Sequence, residues 1–168
     1  MTIPIALYLI TMPDKIYKES IKKKDGFKGQ KAIVLPKQVI NVCQAQKLLS
    51  NLYITDIGFY PRAEYHYRER EQGCNQNILI YCTSGMGWFT LDGKTVPIKE
   101  GEYLVIPKNL KHRYGADEKL PWSIYWAHFN GAAAQSFVEL LLKNCTDHVG
   151  YAAYNEKEQY CLMIFTKH

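Results

Sequence analysis

The sequence predicts a mainly β protein: an antiparallel β-barrel of the jelly-roll kind with a ligand cavity, followed by one or two C-terminal α-helices. Three observations carry this. Between residues 77 and 115, NILIYCTSGMGWFTLDGKTVPIKEGEYLVIPKNLKHRYG, β-branched and aromatic runs alternate with glycine turns. Strands recur there every eight to twelve residues, the spacing of a sandwich or barrel rather than of a parallel sheet with crossover helices. The stretch closes on Gly-x5-Pro-x4-His, with Gly101, Pro107 and His112.

The elements follow in order. Residues 3–10 (IPIALYLI) are apolar but far short of the roughly 20 residues that span a bilayer, and they lack the flanks of a secretory signal, so a strand or packed arm is expected. Residues 11–31 are polar, lysine-rich and broken by Gly26 and Gly29, which makes residues 1–30 an N-terminal arm. The barrel is assigned to 31–130. It begins with a strand from Lys31 to Leu35 that Pro36 ends, followed by strands over Leu52–Ile57 and Ala63–Arg70 with Gly58–Pro61 between them. Ile78–Cys82 is the next strand, and Ser84-Gly85-Met86-Gly87 breaks it. Trp88–Leu91 and Val96–Ile98 flank Asp92-Gly93, a strong two-residue hairpin signal because both positions tolerate positive φ. Tyr103–Ile106 runs up to Pro107.

Past residue 130 the period changes, and residues 131–168 form the expected helical segment. Ala132–Lys143 places Phe137, Leu140 and Leu141 on one helical face. Asn155–Lys167 is a second helix candidate, with Asn155 as cap, Glu156 and Glu158 in its first turn and an apolar stripe of Tyr160, Cys161, Ile164 and Phe165. Such stripes bury themselves either against the barrel or against a second copy of the chain.

Composition narrows the function. A chain of 168 residues with 47% hydrophobic content is one domain with a real core. Its net charge of +5 comes mostly from residues 15–31, where Lys22-Lys23-Lys24 is the only tight basic run, and a solvated lysine-rich arm explains it more simply than a nucleic-acid face. The five cysteines (Cys43, Cys74, Cys82, Cys145 and Cys161) show no CxxC spacing; reduced thiols in a cytoplasmic protein are expected. There is no glycine-rich phosphate loop, no Gly-x-Ser-x-Gly and no carboxylate pair with a partner base.

The ordered set Arg70-x-x-Gly73, ILIYCTxGxG, GEYLVIPKNLKHRYG and WSIYWAHF, between Tyr67 and Phe129, resembles the N-terminal effector-binding domain of AraC-type transcriptional regulators, a cupin barrel. The resemblance covers residues 53–143 and reaches loosely into 27–52. It implies an effector-sensing and dimerisation domain that binds a sugar, sugar acid or related small polar metabolite, without a cofactor. In the family a C-terminal domain with two helix-turn-helix motifs binds DNA, and no such domain is expected within this chain, so DNA would be met only through a part outside it.

Arg70 is the first candidate for the effector. A strand-end arginine offers a planar fork of donors for vicinal hydroxyls or a carboxylate, and the resemblance matches it to the family's sugar-contacting arginine; a surface salt bridge with Glu69 or Glu71 is the competing reading. Alternation puts Arg70, Arg68 and His66 on one face of their strand and Glu69, Tyr67 and Tyr65 on the other. That face favours an anionic or strongly hydroxylated ligand. Tyr114 and Trp126 match family positions lining the cavity, where an aromatic face packs on the ring of a sugar; core packing is their alternative. His112 completes the list. It sits where the second cupin motif carries a metal ligand, but the first motif has no counterpart, Ile78 falling at its glutamate position. One imidazole does not make a three-ligand site, so no metal is expected. The competing functional class is a stand-alone cupin enzyme, a metal-dependent isomerase or dioxygenase. By the same resemblance, Phe137, Leu140 and Leu141 are expected to form the seam of a homodimer.

Overall fold

The structure is a computed structural model and describes residues 21–152. The first twenty residues and the helix expected over Asn155–Lys167 lie outside the described residues. Eleven strands and two helices are formed: β1 Lys31–Val34, α1 Lys37–Ala45, β2 Tyr53–Tyr60, β3 Tyr67–Arg70, β4 Asn77–Ser84, β5 Met86–Leu91, β6 Lys94–Lys99, β7 Glu102–Ile106, β8 His112–Ala116, β9 Ser123–Asn130, α2 Ala134–Leu142, β10 Cys145–Thr146 and β11 Val149–Tyr151. They build two antiparallel sheets, one ordered β1-β2-β9-β4-β7-β11-β10 and the other β3-β8-β5-β6. The sheets face each other as a cupin-like jelly roll rather than closing into one continuous ladder.

The main core lies between them. Ile78, Ile80 and Cys82 of β4, Leu104 and Ile106 of β7 and Ile124 of β9 meet Phe89 of β5, Ile98 of β6 and Tyr114 of β8, with Trp122 fully enclosed. Alternation along each strand explains the selection: residues two apart share a face, and the apolar ones face inward. Asp92 (φ 48°) and Gly93 (φ 80°) make the β5–β6 turn, and Leu91 pairs with Lys94 across it. Asn109, between β7 and β8, takes φ 65°, a conformation asparagine adopts with little cost.

Several elements differ from the sequence expectation. β2 runs through Gly58 to Tyr60 instead of ending at Ile57, because Gly58 pairs with Trp126 and its missing side chain leaves room for the indole. A Cβ on Gly58 would stand 2.6 Å from Trp126 Cζ2 and 2.7 Å from the Lys31 carbonyl. The strand expected over Ala63–Arg70 is only β3. Arg62 (φ 39°) and Tyr65 (φ 64°) turn the chain before it, and Ala63 N–H is held by the Trp122 carbonyl at 2.8 Å. The N-terminal arm contributes to the core at its described end: Phe27 is buried against Tyr60 and His66, with ring centroids 4.9 and 5.3 Å apart. Lastly, α1 forms on a stretch with no expected element, and β10–β11 return the chain after α2 to the sheet, β11 pairing with β7.

α2 lies on the outer face of the larger sheet. Ala134 and Val138 are buried there with Val105 and Phe129, and Phe137 and Leu141 pack partly against the same cluster. Leu140 points away and is 58% exposed.

Candidate functional site

A small cavity opens between the sheets, lined by Tyr60, His66, Arg68, Arg70, Ile80, Tyr114, Ile124, Trp126 and His128. Five of the six ligand-site residues expected from the sequence thus come together. The sixth, His112, stands directly behind them: it is buried, its ring is stacked on Tyr114 with centroids 5.8 Å apart, and its Nε2 lies 3.4 Å from Arg70 Nη1. β3 supplies Arg68 and Arg70 by simple alternation, while Glu69 between them is exposed and accepts the hydroxyl of Tyr67 outside. Bulging at this strand end does not occur: Tyr67, Arg68, Glu69 and Arg70 pair in register with Gly115, Tyr114, Arg113 and His112.

Hydrogen-bond partners fix the protonation of each imidazole. Trp122 Nε1–H can only donate, so His66 Nδ1, 3.2 Å away, is the bare acceptor and the neutral ring carries its proton on Nε2. Leu110 O can only accept, so His112 holds its proton on Nδ1 (2.6 Å) and turns a lone pair toward Arg70. His128 likewise donates from Nδ1 to Asp56 Oδ2 at 3.2 Å, and the same carboxylate oxygen accepts from Thr55 and Gln76.

All three rings are held neutral. Burial lowers the His66 pKa to about 3, and the guanidinium charges of Arg68 and Arg70 push the same way. Burial also lowers His112, with Arg70 adding to it against the opposing Leu110 hydrogen bond. His128 is lowered by burial and then by Arg70, with Asp56 opposing. Tyr60 is raised by burial, partly offset by the neighbouring Arg68 guanidinium.

Two polar atoms in this place have no partner among the described residues. His66 Nε2 and Trp126 Nε1 are both buried, and both side chains line the cavity. An unpaired buried N–H costs about 1–3 kcal/mol, and two in one cavity mark it as a place made for a ligand or bound water. His66 itself is rigidly caged, with the rings of Phe27, Tyr60, Tyr114 and Trp122 at centroid distances of 5.3 to 5.8 Å. Neither Arg68 nor Arg70 is ion-paired among the described residues; the acidic neighbours expected to compete for Arg70 are engaged elsewhere, Glu71 with Lys111 and Glu69 with Tyr67. Among the described residues Arg70 reaches only Tyr114 Oη at 3.5 Å and His112 at 3.4 Å, both long.

Sequence reasoning missed two polar lining residues, Tyr60 and His128. Extending the Ile124, Trp126 alternation by two positions would have found His128; Tyr60 was hidden by reading Gly58 as a break. A wider groove of about 520 Å³ runs along the outside, lined by amides such as Gln44, Asn75 and Gln135 with Tyr53 and Lys108. It contains neither of the unpartnered buried atoms and no arginine. Among the described residues no group of three His, Cys, Asp or Glu side chains is placed to hold a metal ion, none of the four cysteines there is paired, and no helix is long and apolar enough to cross a membrane.

Comparison with known proteins places this geometry in a lineage. A family described as AraC-like ligand binding domain matches residues 57–153. The MmsAB operon regulatory protein of Pseudomonas aeruginosa is 32% identical over 104 residues, covering 60% of this chain and 34% of that protein. The Msm operon regulatory protein of Streptococcus mutans is 27% identical over 62 residues, covering 37% and 22%. The chain therefore spans only about a third and about a fifth of these relatives' lengths. Among solved structures, a cupin 2 conserved barrel domain protein from Salinispora arenicola superposes with a TM-score of 0.43 at 14% identity, over 77% of this chain and 98% of that one.

Proposed function

This chain belongs to the AraC-like ligand-binding domain family, and from that premise we propose that it is the effector-sensing part of a cytoplasmic transcriptional regulator, binding a sugar or related small polar metabolite in the cavity between its sheets. One observation carries the reading: the cavity gathers two arginines free of carboxylate partners and two buried N–H groups free of any partner among the described residues. Structural residues at a core position would have been paired or replaced by apolar ones. Ligand sites, by contrast, keep a few polar groups in reserve inside an apolar wall, here Ile80, Ile124 and the aromatic rings.

The cavity as it stands holds about 30 Å³, room for one or two waters. A ligand of sugar size needs several times more. The long contacts of Arg70 and the half-buried position of both arginines make them the parts that swing aside, exchanging weak contacts at Tyr114 and His112 for charge-assisted ones on the ligand. His66 and the tryptophans stay in place and supply the fixed shape.

The competing enzymatic reading rests on the fold alone, and the relatives are named as regulatory proteins. Metal analysis of the purified protein separates the two: stoichiometric metal with a chelator-sensitive activity would favour the enzyme. The same reading includes a homodimer. Leu140, the exposed member of the α2 stripe, is its candidate contact, while Phe137 and Leu141 serve the protomer's own sheet. A thermal-shift screen of monosaccharides, disaccharides and sugar acids tests the sensing role, since a ligand at 100 times its dissociation constant stabilises by about 2.7 kcal/mol. A compound that raises the melting temperature of the wild type but not of Arg70→Ala is the expected result; a cavity indifferent to the whole panel would count against it.

A further inference from the structure

The donors and acceptors around the cavity are unequal, and the imbalance speaks to the charge of what enters. On the donor side stand the guanidinium groups of Arg68 and Arg70, the indole N–H of Trp126 and the Nε2–H of His66. His66 has no alternative: Trp122 Nε1–H occupies its other nitrogen, so it cannot turn its acceptor inward without breaking a buried hydrogen bond. The tyrosine hydroxyls of Tyr60 and Tyr114 can play either part, and His128, which spends its proton on Asp56, offers the one imidazole acceptor in the lining. No Asp or Glu is among the lining residues. The carboxylate nearest in the network, Asp56, stands behind His128 and is already the acceptor for three groups.

Every hydroxyl of a neutral polyol brings an O–H donor that needs an acceptor, besides its two lone pairs. Its hydroxyl hydrogens would find chiefly His128 and the two tyrosines, and it would leave two positive charges uncompensated in a place walled by Ile80, Ile124 and aromatic rings. A carboxylate brings two oxygens that only accept, together with the missing negative charge. Deepening the effector reading, on which this rests, the geometry points to an acidic ligand, a small hydroxylated carboxylate such as a sugar acid or hydroxy acid, whose carboxylate is held by Arg68, Arg70, His66 Nε2–H and Trp126 Nε1–H.

Matched pairs differing in the acid group test this: D-gluconate against D-glucitol, D-galacturonate against D-galactose, and L-lactate against 1,2-propanediol, each titrated calorimetrically into the full chain. At least one acid is expected to bind at least tenfold more tightly than its neutral partner. Trp126→Phe, which keeps an aromatic ring and removes the N–H, should weaken that acid by tenfold or more without lowering the melting temperature by more than a few degrees. Arg68→Gln provides a second variant with the same expectation, should the first fold poorly. In the wild type, 15N-resolved NMR should show His66 as the Nε2–H form, and the Trp126 indole N–H should move downfield as the acid is added. A neutral member binding as well as its acid, with Arg70→Ala abolishing both, would overturn the acidic ligand while leaving the effector cavity standing. Acid binding indifferent to all three variants, His66 in the Nδ1–H form, or no binding by any acid would also overturn it; only failure of the acids and the neutral compounds together would take the effector reading down too.

Discussion

Lowering the pH from 7 to 5 should remove about 2 kcal/mol of stability through His66 alone. An unfolded histidine titrates near pH 6.5, whereas burial and two neighbouring guanidinium groups hold folded His66 at about 3. Between those values the unfolded chain binds a proton that the folded chain refuses, so stability rises with pH there and falls on acidification, by about 1.4 kcal/mol per pH unit. The contribution is complete above about pH 6.5 and lost progressively below it, the loss reaching about 2 kcal/mol at pH 5. His112 and His128 are lowered as well and act in the same direction. Aspartate and glutamate ordinarily titrate below this window, so the loss between pH 7 and 5 reports the imidazoles. Urea midpoints at pH 7, 6 and 5, with a constant m-value, measure it. His66→Gln should flatten the slope. Stability that stays level or rises as the pH falls from 7 to 5, or a slope unaffected by His66→Gln, would refute the neutral, caged His66 on which the cavity's donor pattern depends.

Three further outcomes follow from packing. Gly58→Ala places a methyl 2.6 Å from the Trp126 ring and 2.7 Å from the Lys31 carbonyl; overpacking of this kind costs about 1–3 kcal/mol, and the displaced indole should alter both tryptophan fluorescence and ligand affinity. Leu140→Asp should turn a homodimer into monomers of unchanged ligand affinity, read by light scattering, because Leu140 is exposed. Leu141→Asp should instead destabilise the protomer, since that residue packs on the sheet with Val105 and Phe129. A wild type that is monomeric at micromolar concentration would remove the dimer.

What the sequence disclosed was whatever rests on period and turn chemistry. His66, Arg68 and Arg70 share a face because alternation demands it, and Asp92-Gly93 turns because its φ values are those the pair tolerates. The losses have particular causes. Gly58 reads as a breaker in one dimension and as space for Trp126 in three. The β10–β11 turn uses Asp147 (φ 51°) and His148 (φ 69°), with no glycine to announce it. α1 buries none of its residues, so no core-facing stripe marked it. The unpartnered nitrogens of His66 and Trp126 are facts of burial and orientation, and no spacing encodes them.

The central claim, that the cavity between the sheets is the effector site, is tested most directly by calorimetry of the wild type and Arg70→Ala with any compound that stabilises the wild type. A loss of about 1.5–3 kcal/mol of binding free energy, the range for a hydrogen bond to a charged group, with a folded variant, is what the account predicts. An unchanged dissociation constant would contradict it.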